Sequence, residues 1–277
     1  MGTADLVPGV SGGTIALVIG VYTQLVTSIR EGSSALGSML KGDFVGFRQH
    51  LRAVEWAFLV PLLAGILLAI VLLASFLENQ LEERPIVIAG LFLGLVIGSI
   101  VIAWRLLRRP DRRHVALAVL VGVALFLILG FGEGQVNSDP SRLAFFGAGA
   151  LAICAMILPG ISGSLILLML GMYAPVLGAV TDRDYGTIAI FALGAVIGLA
   201  LFSQILYWAL EHHHDIVLAA LIGLMAGSTR ILWPWPDGVA SSDLAAPGDD
   251  VLVVGLAAVV GAVAVSLLSR LAVTRQS

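Results

Sequence analysis

Long apolar runs alternate with short polar stretches along this chain. A helix crossing the hydrocarbon of a bilayer needs about 20 mostly apolar residues. Six runs reach or approach that length: 54–76, 85–107, 115–132, 187–210, 216–233 and 250–269. Their ionisable residues lie at the ends, as with Glu55, Arg105 and Asp250, and so do Trp56, Trp104, Trp208 and Trp233. Membrane interfaces favour indole rings at such positions. Two further apolar regions are interrupted. Residues 143–180 form two arms of about 16–18 residues around Leu158-Pro159-Gly160-Ile161-Ser162-Gly163-Ser164, and Pro8-Gly9-Val10-Ser11-Gly12-Gly13 opens a similar arm over 14–29. Proline and glycine at this density end one helix and start another. A break within lipid exposes N–H and C=O groups, which is tolerated only where protein or a wet cavity covers them. Each break therefore predicts a cavity or a buried contact.

The two breaks are copies. Val7-Pro8-Gly9-Val10-Ser11-Gly12-Gly13-Thr14-Ile15 matches Leu158-Pro159-Gly160-Ile161-Ser162-Gly163-Ser164-Leu165-Ile166 at an offset of 151, and Gly20 with Tyr22 then matches Gly171 with Tyr173. Further on, Gly94-Leu95-Val96-Ile97-Gly98-Ser99 resembles Gly223-Leu224-Met225-Ala226-Gly227-Ser228, and Glu78 ends one span as Glu211 ends another. The chain reads as two halves, 1–135 and 136–277. The first half has only residues 1–7 where the second has the arm 143–157.

Composition agrees with a lipid environment: 59% of residues are hydrophobic and 12% charged, against about 25% charged in soluble domains. A net charge of −3 gives no reason to expect nucleic acid as a partner. Cys154, the single cysteine, reads as a small buried hydrophobe. No basic segment precedes the first apolar run, and Leu6 breaks the myristoylation pattern, so neither a cleaved leader nor an acyl anchor is expected.

Charge placement sets the topology. Arg30, Lys41, Arg48 and Arg52 form one basic loop, and Arg105, Arg108, Arg109, Arg112 and Arg113 another, two spans later. Both can be cytoplasmic, as the positive-inside rule requires. Residues 78–84 and 133–142 then face outward. If 143–180 returns to its own side as a re-entrant hairpin, the tail with Arg270 and Arg275 is cytoplasmic and the cation-free loop 234–249 is external. The expected fold is an all-α, multi-pass inner-membrane protein with an inverted repeat, each half a re-entrant hairpin plus three transmembrane helices.

The duplicated break is the strongest chemical signal. A helix that begins inside the membrane aims free N–H groups and a positive dipole end at the cavity, and glycine allows close approach to the backbone. Gly9, Gly12, Gly13, Gly160 and Gly163, with the hydroxyls of Ser11, Thr14, Ser162 and Ser164, compose an anion cradle suited to phosphate. A plainer reading makes the breaks kinks whose small residues let helices pack closely. Arg230, near the end of an apolar span, could grip phosphate oxygens or snorkel beside Trp233 and Trp235. Asp5, three residues before the first break, is a candidate proton carrier. Gly9-Val10-Ser11-Gly12-Gly13 fits a hydrolase elbow only by accident, since no strand precedes it. His212, His213 and His214 read as a solvated loop. No catalysis, metal or cofactor is expected.

Met1-Gly2-Thr3-Ala4-Asp5-Leu6-Val7-Pro8-Gly9-Val10-Ser11-Gly12-Gly13-Thr14 resembles the opening motif of the polyprenyl-phosphate transporter family, long known only as a domain of unknown function. The second motif, Leu158 to Ser164, also resembles that family, as do Gly227-Ser228-Thr229-Arg230 and Leu232-Trp233-Pro234-Trp235. The resemblance covers nearly the whole chain. It implies recycling of undecaprenyl phosphate, or another polyprenyl phosphate, from outer to inner leaflet for envelope synthesis, with membrane lipids as surroundings. It also implies a longer N-terminal arm than the one present. The residues alone leave open a small-anion channel or exchanger, which also uses Gly-Ser breaks at helix N-termini.

Overall fold

The computed structural model describes residues 1–5, 10–132, 134, 140–236, 238–239 and 243–274, and all regular structure among them is helical. The helices are α1 (Gly2–Asp5), α2 (Gly12–Val18), α3 (Tyr22–Leu40), α4 (Phe44–Ala53), α5 (Trp56–Glu83), α6 (Pro85–Arg105), α7 (Arg112–Leu129), α8 (Arg142–Ile157), α9 (Gly163–Met169), α10 (Tyr173–Thr181), α11 (Tyr185–His212), α12 (His214–Ser228) and α13 (Val251–Thr274). Among the described residues, α5, α6, α7, α11 and α13 are long and apolar enough to cross a membrane. Capping chemistry fixes several helix starts. Ser141 takes the Ala144 amide into α8, Asp184 takes the Gly186 and Thr187 amides into α11, and Pro85 opens α6.

Three elements depart from the sequence expectation. The segment carrying Arg30, Lys41, Arg48 and Arg52 is helix, not loop: α3 runs on to Leu40, and α4 is a separate helix whose Asp43 cap takes the Gly46 amide at 2.9 Å. The expected span 216–233 is a 15-residue helix ending at Ser228. There the Ser228 and Thr229 hydroxyls donate to the Met225 and Ala226 carbonyls, at 2.9 and 2.6 Å. Hydroxyls that bond to the preceding turn offer the backbone an alternative to continued helix, and Pro234 and Pro236 cannot prolong it. The arm after the second break is itself divided: between α9 and α10 the chain turns through 110°. Gly171 at that turn has φ 64°, and its counterpart Gly20 between α2 and α3 has φ 79°. Only glycine adopts this backbone freely, which explains why both copies carry it.

The long helices pack in parallel pairs through glycine. A Cβ on Gly90 would meet Val254, one on Gly94 the Ala258 backbone, and one on Gly98 Ala262 and Val265. The partners rise together, so α6 and α13 run in the same direction. Gly223 against Ala118 and Gly227 against Gly122 make α7 and α12 parallel too. Gly194 against Phe146 and Gly198 against Ala150 do the same for α8 and α11, with the half-buried Cys154 thiol 3.6 Å from the Gly198 carbonyl. In lipid no solvent drives helices together, so close backbone approach through small residues supplies the attraction. Helices from before and after residue 135 are thereby interleaved, and α6 also packs on α12.

Gly94→Val places branched carbons where the Ala258 backbone stands, so it should lower stability by roughly 1–3 kcal/mol. Gly65→Val, at a position with open space, should be tolerated. Thermal unfolding of both variants in detergent checks the difference.

Candidate functional site

The two breaks meet and satisfy each other. The Gly160 amide of the second donates to the Thr14 hydroxyl of the first at 3.0 Å, both atoms buried. The Ser11 hydroxyl donates to the Met156 carbonyl, near the end of α8, at 3.2 Å. A Cβ on Gly13 would fall 2.6 Å from the Ile157 carbonyl, so only glycine fits this contact. Gly160, at φ 87°, lies against the Met225 backbone of α12. The first amides of α2 are also occupied: Gly12 donates to Asp5 Oδ1 at 2.6 Å, Gly13 to the Ser11 hydroxyl at 3.1 Å, and Thr14 to the Ser11 carbonyl at 2.9 Å.

The second break is more open. Ser162 and Ser164 share a hydrogen bond at 2.7 Å, and the Ser162 side chain accepts no capping bond from α9. With Gly163 they line a cavity of about 260 Å³ that also takes in Asp5, Ala152, Met156, Ile161, Leu167 and Phe191. Its wall thus combines hydroxyls, the start of a helix and one carboxylate inside an apolar frame. The volume suits a phosphate-sized group and is below the ~300–1,000 Å³ of pockets that enclose larger ligands.

The candidate residues divide between these places. Ser11, Gly12, Gly13, Thr14 and Gly160 form the locked junction, while Asp5, Ser162, Gly163 and Ser164 face the cavity. Gly9 lies outside the described residues. Arg230 is not among the cavity-lining residues. It follows α12 and turns to α7, where its guanidinium carbon stands 4.8 Å from the Phe126 ring centre and lies against Gly130. A polar cluster between α3, α4 and α11 was not anticipated. Gln204 reaches Ser34 at 2.8 Å and accepts from Arg30 at 3.1 Å; Arg30 covers Tyr207 and pairs with Glu31, which meets His50 at 2.7 Å. Ser203 and Gln204 interrupting the apolar run 187–210 were the signal.

Apolar helices of spanning length, with broken helices that enclose a small cavity bearing hydroxyls and one carboxylate, define a multi-pass membrane protein. A family model described as undecaprenyl phosphate translocase-like matches residues 1–246. A polyprenyl-phosphate transporter of Vibrio cholerae is 42% identical over 238 residues, covering 86% of this chain and 76% of that protein. A polyprenyl-phosphate transporter of Staphylococcus aureus is 31% identical over 251 residues, covering 84% of this chain and 83% of that one. The chain belongs to the undecaprenyl phosphate translocase-like family. No solved structure matches it.

Thr14→Val keeps the shape but removes the acceptor for the buried Gly160 amide, and should cost roughly 1–3 kcal/mol. Ser162→Ala loses only the bond to Ser164 among the described residues and should cost clearly less. Melting temperatures of the two purified variants test this order.

Proposed function

We propose that this chain carries polyprenyl phosphate across the inner membrane, from outer to inner leaflet, and returns the lipid carrier to envelope synthesis. The observation that carries the reading is the cavity at the second break, where Ser162, Gly163 and Ser164 meet Asp5 at the junction of the two broken segments. The relatives are named for the same cargo. A cavity of about 260 Å³ accommodates a phosphate head while leaving the isoprenoid chain in the bilayer. Hydroxyls and the amides of a helix start replace the water that a phosphate loses there.

An inverted repeat, 1–135 and 136–277, suits the helix directions. If α6 and α7 are successive spans joined by the short turn 106–111, they run in opposite senses. Since α12 is parallel to α7, it opposes α6, its counterpart by sequence. A re-entrant hairpin over 143–180 is supported by α8 running parallel to the full-length α11 while being only 16 residues long. It is supported too by Gly134, ahead of α8, donating to Leu168 near the end of α9 at 3.2 Å. With the basic loops inside, that hairpin enters from the outer face. The helix pairs then rock about the junction to present the cavity to either leaflet.

Asp5 gives this transport a coupling device. A carboxylate and a phosphate facing one small apolar cavity repel unless a proton is shared. Lipid entry is therefore tied to protonation of the pair, and release to its loss. Arg230, near the end of α7, offers a guanidinium to the head on its way to the cavity.

Purified protein in proteoliposomes should move polyprenyl phosphate to the opposite leaflet and pass no chloride. Ser162→Ala and Arg230→Ala should each slow this by at least about tenfold, the worth of one charge-assisted hydrogen bond. Asp5→Asn should remove the dependence on a pH gradient. Chloride flux without lipid movement would make the protein an anion channel, and wild-type rates in Ser162→Ala would take the second break out of the path.

A further inference from the structure

The seam between α6, α7 and α12 forms an open apolar groove of about 400 Å³, lined by Trp104, Val115, Val119, Val123, Phe126 and Ile222 among others. The three valines are about half exposed, so in a bilayer they face hydrocarbon chains. From Val115 to Phe126 the groove follows α7 for about 16 Å. At the end marked by Trp104 and Val115 stands a second, polar cleft of about 450 Å³, lined by Arg108, Arg109, His212, His213, His214, Asp215 and Ile216. The turn that carries Arg108 and Arg109 joins Trp104, in the last turn of α6, to Val115, in the first turn of α7, and Asp215 precedes Ile222 by seven residues, two turns along one face of α12. Cleft and groove are therefore successive stretches of one seam.

The cleft is organised for an anion. Its one carboxylate has both oxygens engaged. Asp215 Oδ1 accepts from the Arg108 amide at 3.0 Å and meets His214 Nδ1 at 3.1 Å, and Oδ2 accepts from the Arg109 amide at 2.9 Å. Asp215 thus fixes the turn after α6 and places both arginines at the cleft. Trp208 stacks on His212 with ring centres 5.4 Å apart and meets His213 edge-on at 5.5 Å, which orders the opposite wall.

We infer that this seam is a second lipid-phosphate site, on the side of the membrane where the basic residues gather. It holds the head of a single-chain phosphate monoester between Arg108, Arg109 and the histidines, with the apolar chain along α7. A cleft for a free anion would need no apolar continuation, and a groove alone would take any acyl chain. A monoester carries up to two charges on one head, which matches two arginines, and one groove matches one chain. Two-chain phosphodiesters fit neither count. This inference rests on the transport reading and gives it the position the lipid occupies after crossing.

The test uses the full chain in phosphatidylcholine vesicles with a polyprenyl phosphate bearing a photoreactive diazirine in its tail, and locates the label by mass spectrometry. Label is expected within 115–126 of the wild type, displaced by excess unlabelled polyprenyl phosphate. It should not be displaced by equal amounts of phosphatidylglycerol or inorganic phosphate. Labelling should fall about tenfold in the double variant R108Q/R109Q, equivalent to about 1.4 kcal/mol, and similarly in Val119→Trp, which fills the groove. Should the double variant fail to fold, Val119→Trp decides. Displacement by phosphatidylglycerol would make the seam a general anionic-lipid contact, and displacement by inorganic phosphate a free-anion site; either overturns the inference. Unchanged labelling in the variants overturns it as well. Transport measured in the same vesicles separates the two claims. Absent transport in the wild type removes the preceding reading together with this one, whereas intact transport with unchanged labelling removes this one alone.

Discussion

Hydrocarbon cannot hydrogen-bond an exposed peptide group, and every interruption of a helix within it must be answered by protein or trapped water. Here the two interruptions answer each other. The Gly160 amide finds the Thr14 hydroxyl, and the Met156 carbonyl finds the Ser11 hydroxyl. Near-identical motifs thus acquire different roles. The first is closed upon itself and upon α8, with its amides taken by Asp5 and Ser11. The second keeps its serines at a cavity. The sequence supplies the motif twice, and satisfying the backbone decides which occurrence is locked.

The helices themselves were legible in the sequence wherever an apolar run was long and uninterrupted. The runs 54–76, 85–107, 115–132, 187–210 and 250–269 each correspond to a helix within a few residues, apart from the seven-residue extension of α5 to Glu83. Legibility failed where polar residues are helical. The basic stretch around Arg48 forms α4 because Asp43 caps it, a local device that hydropathy does not register. The end of α12 was placed five residues late because the hydroxyls of Ser228 and Thr229 act on the backbone, whereas Ile231, Leu232 and Trp233 continue the apolar run. At the site, the motif named the residues but could not show their pairing. Ser11 and Ser162 are equivalent in one dimension, and only the contact of Ser11 with Met156, across 145 residues, distinguishes them. Gln204 was visible as a polar intruder, but its partners on α3 were not.

Glycine does two jobs in this molecule, and they are separable by geometry. At Gly20, Gly160 and Gly171 the backbone itself requires it, with φ between 64° and 87°. At Gly94, Gly194 and Gly227 the backbone is ordinary helix, and the missing side chain admits a neighbouring helix. The first group shapes the breaks. The second sets the distance between the paired helices. The same residue type therefore links conformation at the centre to packing at the periphery.

The interleaved pairing of α6 with α13 and of α7 with α12 has a consequence for biogenesis. A ribosome delivers α6 and α7 to the bilayer long before their partners exist, since α13 begins only at Val251. Until then the glycine faces of α6 have lipid where helix should be, and at synthesis rates of about 5–20 residues per second that interval lasts many seconds. α7 waits likewise for α12. Quality control in the membrane would meet α6 and α7 with open packing faces until α12 and α13 arrive.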